Sequence, residues 1–590
     1  MRKETKSIIS LAVIAGIAFC IPFFMFHSGL PTGDSQKEIV WAHDILATGD
    51  WPNYESSIED LNRDPVDFYT PGLHVFTAAL LLATGGSLTA VGLAAIISAV
   101  LVAVVAAYIA REVWSKLPAW PVMALTLLLV LTQFRFLRYL REPGYHFQNL
   151  IGELFLFAAL LAALLLIKHW SARRAYWLIG LLTLLAFFHQ FSTFLAAFML
   201  VPVAVILVIN NHRTMNHAAR VKAYAATGIG VAIAVALALT FNLNEKIPHI
   251  FTTTPHLANL LPSLADYPRL MGTVWLGFGL AGLALLLRWG WQHQKQEAHV
   301  LAFALATLVL LALSQGPRLG IDIPPVRALL YLAVPLSITG AGAFVSLYKR
   351  LNGRLSRLAV LAAVFVALFT STAQAFTSLS HTVRTNSTLL PTQRELIDFL
   401  HEQPGGAVLV DDYNRRSSSW LVLADQGMFT RIAADLARQM EEASQSELRR
   451  QLYLNQLDYE KIFSLASHPL AAQLMEQENV SWVTGITSKS DAGFATNPAL
   501  EPAHSAGDIT LYKHLEAHAS PACAVTQLSE SDERWLLKAS TLANVLGDDE
   551  DTFEHLPASI RAANLSKPQT DGNCVWREST APVIPLRFNV

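Results

Sequence analysis

The sequence Phe68-Tyr69-Thr70-Pro71-Gly72-Leu73-His74 lies within a long polar segment, residues 28–86, that follows the first apolar stretch of the chain. Nine carboxylates lie in this segment against only two basic residues, Lys37 and Arg63. Loops longer than about 12–15 residues are usually either functional or disordered. This segment also carries the start and stop signals of a helix, so we interpret it as a functional loop.

The helix signals surround Asp34. Ser35 and Glu38 have the S-x-x-E spacing of a capping box, and Gly49 supplies a stop signal. Asp34 therefore precedes a helix start, close to the point where the first apolar stretch ends. Two interpretations stay open: Asp34 is a catalytic carboxylate held at the bilayer surface, or it only helps to cap the helix.

The composition separates a membrane part from a soluble part. The 590 residues are 53% hydrophobic and 15% charged, well below the roughly 25% charge of soluble domains. The low charge is concentrated before residue 380, which predicts a membrane domain over 1–379 and a soluble domain over 380–590. The net charge of −2 argues against nucleic acid as a binding partner. The three cysteines form no C-x-x-C pattern, which argues against a zinc site.

A membrane-spanning helix needs about 17–25 apolar residues, and eleven apolar stretches with loosely defined ends are candidates. They are residues 8–27, 87–110, 118–136, 149–168, 175–188, 193–210, 223–241, 270–289, 298–314, 326–347 and 357–377. The stretch 72–84 is too short to span comfortably, so we expect it to lie in the outer interface or to re-enter. The first stretch is interpreted as an uncleaved membrane helix.

The basic residues between these stretches set the orientation. Lys and Arg clusters occur in alternate connections, and such clusters are typically cytoplasmic. The pattern predicts a multi-pass protein of the cytoplasmic (inner) membrane with a cytoplasmic N-terminus. Residues 380–590 are then periplasmic or extracellular.

The C-terminal part has the pattern of an α/β domain. Helices are predicted at 392–403, 431–444, 446–456 and 469–477, and strands at 407–412, 480–483 and 509–512. Cys523 and Cys574 would lie in an oxidising compartment and could pair. No P-loop, G-x-S-x-G or G-x-G-x-x-G motif is present in the sequence, so the domain gives no sign of an independent enzyme.

The order of these features resembles the C-type (GT-C) glycosyltransferase superfamily, which includes protein mannosyltransferases, the lipid A aminoarabinose transferase and oligosaccharyltransferases. The shared order is a membrane helix, an outer loop that opens with Asp34, a small helix and an aromatic-proline motif. Tyr69 and Pro71 are similar to the tyrosine-proline segment of those enzymes, and Leu73–Thr84 is similar to their juxtamembrane helix. The resemblance covers the layout of about residues 1–380.

The resemblance implies a polyprenyl-phosphate-linked sugar as donor and an essential acid in the first outer loop. Asp34 is the matching position, and Asp44 is the second choice. Members often carry another acid in the second outer loop, where this chain offers Glu142, His146 and Glu153. That departure leaves the second acid and the metal requirement open, so a divalent metal is possible but not certain.

The implied reaction is attack of an acceptor hydroxyl or amine on the anomeric carbon, with the lipid phosphate leaving. A carboxylate deprotonates the acceptor, and arginines stabilise the leaving phosphate. The phosphate candidates are Arg138 and Arg141 in the second outer loop, with Arg318 and Arg327 further along. The alternative for Arg318 and Arg327 is that they anchor the chain at the membrane interface.

Histidines and tyrosines near the predicted outer helix ends are further candidates for substrate contacts. They are Tyr69, His74 on the proposed interfacial helix, His146 as an acceptor contact and His189 at a helix junction. The alternative for His189 is a hydrogen-bonded interhelical histidine. Glu153 lies inside a predicted membrane helix, where an ionisable group is a functional candidate unless it pairs with an arginine.

We therefore predict an α-helical polytopic membrane glycosyltransferase of the GT-C type followed by an outer α/β domain. It would transfer a sugar from a polyprenyl-phosphate carrier to a glycan, lipid or protein acceptor on the outer face of the cytoplasmic membrane. Alternatives are an O-antigen-type polymerase or ligase, a transporter, and a non-enzymatic scaffold for envelope polysaccharide assembly.

Overall fold

The computed structural model describes the greater part of the helical region and sections of the C-terminal part. The main described ranges are 7–17, 71–133, 147–214, 263–321, 325–366, 391–403, 407–410, 427–430, 469–477, 480–484, 488–507, 509–515, 569–571 and 574–576, with a few single positions between them. The described residues form two compact units, one that ends at Thr388 and one that begins at Leu389.

The first unit is helical. Its helices are α1 (Ser7–Ile17), α2 (Gly72–Thr84), α3 (Leu88–Val113), α4 (Ala119–Thr132), α5 (Phe147–Lys168), α6 (Ala172–Phe188), α7 (Gln190–Thr214), α8 (Tyr267–Met271), α9 (Thr273–Gln292), α10 (Ala298–Leu313) and α11 (Pro325–Arg350). A further helix covers residues 354–366.

Five helices are long and apolar enough to cross a membrane among the residues that the structure describes. They are Thr89–Val113, Asn149–Lys168, Gln190–Arg213, Thr273–Gln292 and Arg327–Arg350. These five confirm predicted stretches in position and character. The helices α4 and α10 are shorter apolar helices at two further predicted stretches. The stretch 223–241 lies outside the described residues apart from single positions, so the total of eleven stays a prediction.

The short helix α2 is separate from α3, as the sequence predicted. It ends at Gly85, whose φ of +64° is a left-handed conformation that glycine adopts without a steric penalty. Gly86 also has a positive φ, of +82°, and Ser87 then precedes α3. Two consecutive glycines therefore break what composition alone would join into one long apolar run. The predicted place of α2 in the membrane interface stays a prediction.

The helix α11 forms the centre of this unit, because its apolar window is buried throughout. Its closest approach is to α9, where Gly282 leaves no room for a side chain: a Cβ there would lie 2.0 Å from the carbonyl oxygen of Thr339. Small residues allow such close helix packing in membranes. The Thr339 hydroxyl donates a hydrogen bond to the Gly279 carbonyl at 2.7 Å, and Trp114 Nε1 donates to the Ile338 carbonyl at 3.1 Å.

The second unit contains a five-stranded mixed sheet in the order β2-β1-β3-β5-β4. Its strands are β1 (Ala407–Val410), β2 (Gly427–Thr430), β3 (Val480–Thr484), β4 (Leu500–Ala506) and β5 (Ile509–His514), and β6 (Gln569–Asp571) pairs with β7 (Cys574–Trp576) in a separate ribbon. The strand β1 is parallel to β2 and β3, whereas β5 is antiparallel to β3 and β4.

Helices α12 (Pro391–His401), α13 (Pro469–Gln477) and α14 (Ser488–Ala495) accompany this sheet. The predicted helix 469–477 matches α13, and the predicted strands match β1, β3 and β5 with small differences at their ends. The structure adds β2, β4 and α14, which the sequence did not predict. The predicted helices 431–444 and 446–456 lie outside the described residues, as does Cys523, so its pairing with Cys574 stays a prediction.

Candidate functional site

A cluster of buried polar side chains lies inside the helical unit, and we call it the polar cluster. Its members are Asn149 and Glu153 on α5, His189 between α6 and α7, Ser192 on α7 and Tyr331 on α11. Each is at most 7% exposed. Asn149 and Glu153 are four residues apart, so both lie on the same face of α5. Polar groups at this depth in an apolar bundle are costly unless they are satisfied or serve a function.

Side-chain hydrogen bonds connect all four segments. The Ser192 hydroxyl lies 2.7 Å from His189 Nδ1 and 2.6 Å from the Tyr331 hydroxyl. The Tyr331 hydroxyl also lies 3.4 Å from Asn149 Oδ1, which brings α5 into the network. The polar cluster therefore ties together helices that are far apart in the sequence.

The geometry also fixes the tautomer of His189. The backbone N–H of Ser192 donates to His189 Nδ1 at 3.3 Å, so Nδ1 is an acceptor and the ring proton lies on Nε2. The Ser192 hydroxyl then donates to Nδ1 as well, so it accepts from the Tyr331 hydroxyl. The single hydroxyl hydrogen of Tyr331 is shared between Ser192 Oγ at 2.6 Å and Asn149 Oδ1 at 3.4 Å. The Nε2–H group is then the donor that the His189 ring offers.

The charge state of His189 follows from its surroundings at the junction between α6 and α7. Burial, and to a smaller extent the positive charge of Arg327, lowers the pKa of His189 to about 3. The imidazole is therefore neutral at pH 7. Arg327 is exposed, and its guanidinium carbon lies 5.8 Å from the ring centroid of Phe191. A cation at this distance is attracted to the ring face.

Gly152 allows α5 to approach the polar cluster. A Cβ at this position would lie 2.2 Å from Ser192 Oγ and 2.6 Å from His189 Nδ1, far inside van der Waals contact. The residue is also buried between Asn149 and Glu153 on the same helix. The absence of a side chain at Gly152 is thus a steric requirement of the polar cluster.

The helix α2 packs against the same junction. Gly72 lies against Phe187, and Phe76 is 6.1 Å from Phe147 and 6.2 Å from Phe188 between ring centroids. His74 on this helix is fully buried. The helix that follows the aromatic-proline motif is therefore next to the start of α5 and the end of α6, where the polar cluster begins.

A second group of buried polar side chains lies at the same helix ends. The Tyr267 hydroxyl is 2.6 Å from Ser314 Oγ, and Gln315 Nε2 donates to the Tyr267 hydroxyl at 2.7 Å. Gln133 Nε2 donates to the Met271 carbonyl at 3.2 Å. These contacts hold α4, α8 and the end of α10 together at the side where α5 and α11 begin.

The structure brings together some of the predicted site residues and leaves others undescribed. Arg327 lies close enough for its charge to disfavour the protonated form of His189, and His74 lies on a helix packed at the same junction. Arg318 is exposed in the turn Gly316–Leu319. The remaining candidates lie outside the described residues and stay predictions: Asp34, Asp44, Tyr69, Arg138, Arg141, Glu142 and His146.

Sequence reasoning missed Asn149, Ser192 and Tyr331 as site residues. Helical spacing could have suggested two of them, because Asn149 is four residues before Glu153 and Tyr331 is four residues after Arg327. In both cases an ionisable residue near the end of an apolar helix marks the polar face. No such local signal identifies Ser192 as the residue that joins the others.

The arrangement can hold a polar group by hydrogen bonds and can offer a positive charge beside it. Neutral His189 donates through Nε2, and Arg327 supplies a guanidinium suited to phosphate or carboxylate oxygens. Glu153 and Arg327 are both close enough for their charges to act on the Tyr331 hydroxyl. Among the described residues, no three His, Cys, Asp or Glu side chains are grouped so that they could hold a metal ion.

Comparison with known proteins finds solved structures whose fold is similar to that of this chain. No protein-family model matches the sequence, and no curated protein sequence matches it. ArnT from Cupriavidus metallidurans bound to undecaprenyl phosphate is 12% identical with a TM-score of 0.52, over 88% of this chain and 100% of ArnT. The apo form of ArnT is 11% identical with a TM-score of 0.51, over 88% and 99%.

An oligosaccharyltransferase from Archaeoglobus fulgidus, in complex with Zn and sulfate, is 13% identical with a TM-score of 0.48, over 80% of this chain and 67% of that protein. The predicted resemblance is confirmed at the level of the fold by the two ArnT structures. Of these structures, the two of ArnT exceed a TM-score of 0.5, and what they share with this chain is the fold. Together with the five candidate spans, the fold indicates a membrane protein.

Proposed function

We propose that the chain is a membrane glycosyltransferase that transfers a sugar from a polyprenyl-phosphate-linked donor to an acceptor glycan, lipid or protein. The polar cluster is the observation that carries this proposal. A buried cluster that contains a neutral histidine and a carboxylate, with an arginine beside it, is costly inside an apolar bundle. It lies in a fold similar to that of ArnT, and that enzyme has been solved with bound undecaprenyl phosphate.

In this proposal the undescribed loops supply the reacting groups, and the polar cluster supports them. Residues 134–146 directly precede α5, in which Asn149 is the third residue. Tyr69 is three residues before the start of α2, which packs at the same junction. Asp34 is the base that deprotonates the acceptor, with Asp44 and Glu142 as the other candidates.

The cations have the complementary role in this mechanism. Arg327, together with Arg138, Arg141 and Arg318, stabilises the phosphate as the bond to the anomeric carbon breaks. The proton of the acceptor passes to the carboxylate, and the lipid phosphate leaves as an anion. His189 and Tyr69 would orient the donor or acceptor through hydrogen bonds, as would His74 and His146.

We also propose the placement that the sequence predicted. Residues 1–379 carry the site, and residues 380–590 lie on the outer side of the cytoplasmic membrane, where they bind the acceptor or brace the outer loops. The reaction would then take place at the outer face. Labelling of a cysteine introduced at exposed Lys513 by a membrane-impermeant thiol reagent in intact cells tests this placement, and protection until the cells are lysed would contradict it.

The experiment that tests the proposed activity measures sugar transfer from a radiolabelled polyprenyl-phosphate sugar pool in membranes. The native chain is compared with Asp34→Asn at equal expression, and Asp60→Asn in the same loop is the matched control. We expect Asp34→Asn to lose at least 100-fold in transfer, because general acid–base catalysis contributes about 10²–10⁴-fold. Asp60→Asn should retain transfer.

A second pair of variants tests the cation. Arg327→Gln removes the charge beside the polar cluster, and Arg269→Gln removes an exposed arginine that is 3.8 Å from Asp266 at the same helix ends. We expect a large loss of transfer only for Arg327→Gln. Undiminished transfer in Asp34→Asn would move the base to Asp44 or Glu142. If the native chain transfers no sugar from any polyprenyl-phosphate pool supplied, the transferase proposal is wrong. That result would support the transporter and scaffold alternatives.

A further inference from the structure

A polar cavity of about 420 Å³ lies at the opposite ends of these helices from the polar cluster. It is formed where α5 ends, near the end of α7 and before the start of α10. Asn149 and Lys168 are at the two ends of α5, so the cavity is roughly 28 Å from the polar cluster along the helix axis. Its volume lies within the range of about 300–1,000 Å³ that is typical of ligand pockets.

The side chains that line the cavity are mostly hydrogen-bond donors and cations. The polar ones are Lys168, His169, Asn210, Asn211, Lys295, Gln296 and His299. Two ammonium groups and three amides line the cavity, although Lys168 also pairs with Glu112 and Asn210 Nδ2 also donates to the Ile167 carbonyl. These donors suit a ligand with several oxygen atoms, such as a phosphate group.

Two carboxylates lie close to the cavity and balance the formal charges of its two lysines. Glu112 forms an ion pair with Lys168 at 3.0 Å, and Glu297 lies 3.6 Å from His299 Nε2. His299 Nε2 also lies 3.2 Å from the backbone carbonyl oxygen of Glu112. These contacts hold Lys168 and His299 in place at the wall of the cavity. Lys295 lies on the exposed turn between α9 and α10 and brings its charge to the rim.

The surroundings of the cavity have the character of a membrane interface. Trp170 lines the cavity itself, and Tyr176 and Trp177 nearby on α6 are 70% and 61% exposed. Tryptophan and tyrosine are enriched where lipid headgroups meet the hydrocarbon region. Arg173, on the same turn of α6, adds a further cation. This composition is typical of the part of a membrane protein that meets lipid headgroups.

We propose that this cavity binds the phosphate of an anionic phospholipid headgroup. Basic pockets between membrane helices are suited to such headgroups because the charges meet at short range in a partly desolvated place. The same chemistry would accept free phosphate, so the test includes both sources. The proposed site is separate from the polar cluster and does not depend on transferase activity.

The test uses the full chain, purified in a neutral detergent and examined by native mass spectrometry. The probes are dioleoyl-phosphatidylglycerol, dioleoyl-phosphatidylcholine as the neutral-headgroup control, and inorganic phosphate as the soluble source. Lys295→Gln is the main variant. Because Lys295 is exposed, we expect the substitution to leave folding intact, so a loss of binding reports on the cavity. Lys349→Gln, at the end of α11 and outside the cavity, is the matched control.

We expect phosphatidylglycerol to bind with about fivefold lower affinity in Lys295→Gln, which is the effect of one lysine near an anionic headgroup. Lys349→Gln should bind as the native chain does, and phosphatidylcholine should not show the dependence on Lys295. Binding of inorganic phosphate that depends on Lys295, without binding of the lipid, would support the phosphate site and assign it to a soluble ligand. Equal loss in both variants, or no binding of either probe, would overturn the proposal.

Discussion

The most direct test of the polar cluster is the substitution Gly152→Ala. The added methyl carbon would lie 2.2 Å from Ser192 Oγ and 2.6 Å from His189 Nδ1. Gly180→Ala on α6 is the matched control, because a Cβ there would meet nothing within 4 Å. Both substitutions place alanine in the interior of a helix, so their difference isolates the steric effect.

The magnitude follows from the overlap. Ordinary Cβ contacts begin at 3.4 Å, so the neighbours of Gly152 must move by roughly 1 Å, and close-packed interiors resist such movement. Overpacking typically costs about 1–3 kcal/mol. Alanine in a helix gains about 0.5–1 kcal/mol over glycine when nothing obstructs it. This gain is common to both variants and cancels, so we expect Gly152→Ala to be about 1–3 kcal/mol less stable than Gly180→Ala.

The assay is unfolding of the purified chain in mixed micelles with increasing sodium dodecyl sulfate, followed by circular dichroism. Sugar transfer in membranes is measured in parallel. We expect Gly152→Ala to lose both stability and transfer, because the methyl group separates Ser192 from His189. Equal stability of the two variants would refute the close approach of α5 to the polar cluster. Normal transfer by a destabilised Gly152→Ala would separate the polar cluster from function.

Three further predictions concern individual hydrogen bonds and charges. A double-mutant cycle of Tyr331→Phe and Ser192→Ala should give a coupling free energy of about 0.6–1.7 kcal/mol, which runs from the mean to the largest value for hydrogen bonds between membrane helices. A value near zero would contradict the 2.6 Å contact between the two hydroxyl oxygens. The pKa of His189 is about 3 in the folded chain and ordinarily 6.5. Between pH 3 and 6.5 the unfolded chain therefore binds a proton on this imidazole that the folded chain does not, so stability should fall as the pH drops below 6.5. The loss should be up to about 2 kcal/mol by pH 5, and His189→Gln should remove this part of the pH dependence of SDS unfolding. In the second unit, buried Asn497 bonds two backbone groups at 2.9 and 3.0 Å, so Asn497→Ala should cost about 1–3 kcal/mol and speed amide hydrogen exchange in the sheet, whereas exposed Thr496→Ala should have little effect.

The strands that the sequence did and did not predict differ in their place in the sheet. The predicted strands β1, β3 and β5 are internal, whereas the missed strands β2 and β4 are the two edges. Internal strands are packed on both sides, so apolar and β-branched residues dominate them. An edge strand pairs on one side, and polar or proline residues are common in it. The strand β4 contains Glu501, Pro502 and His504, which obscure the strand pattern.

The candidate site likewise contains residues that the sequence predicted and residues that it did not. His189 and Arg327 were predicted because titratable groups at the ends of apolar stretches are conspicuous in a sequence. Ser192 and Tyr331 were not, because a single hydroxyl in a membrane helix is common and its partner is 139 positions away. Gly152 is equally inconspicuous, since glycine is frequent in membrane helices and its role depends on which side chains it faces.

The sequence by itself determined the membrane character of the first part, the separate short helix after the aromatic-proline motif, and the internal strands of the second part. These features depend on local composition and periodicity, which can be determined from short stretches of consecutive residues. Only the tertiary structure decided that His189, Ser192, Tyr331 and Asn149 form one network with Gly152 at its side. Helix packing brings together residues that have no local relationship, and the cost of burying their polar groups is lowered only when all of them are in place.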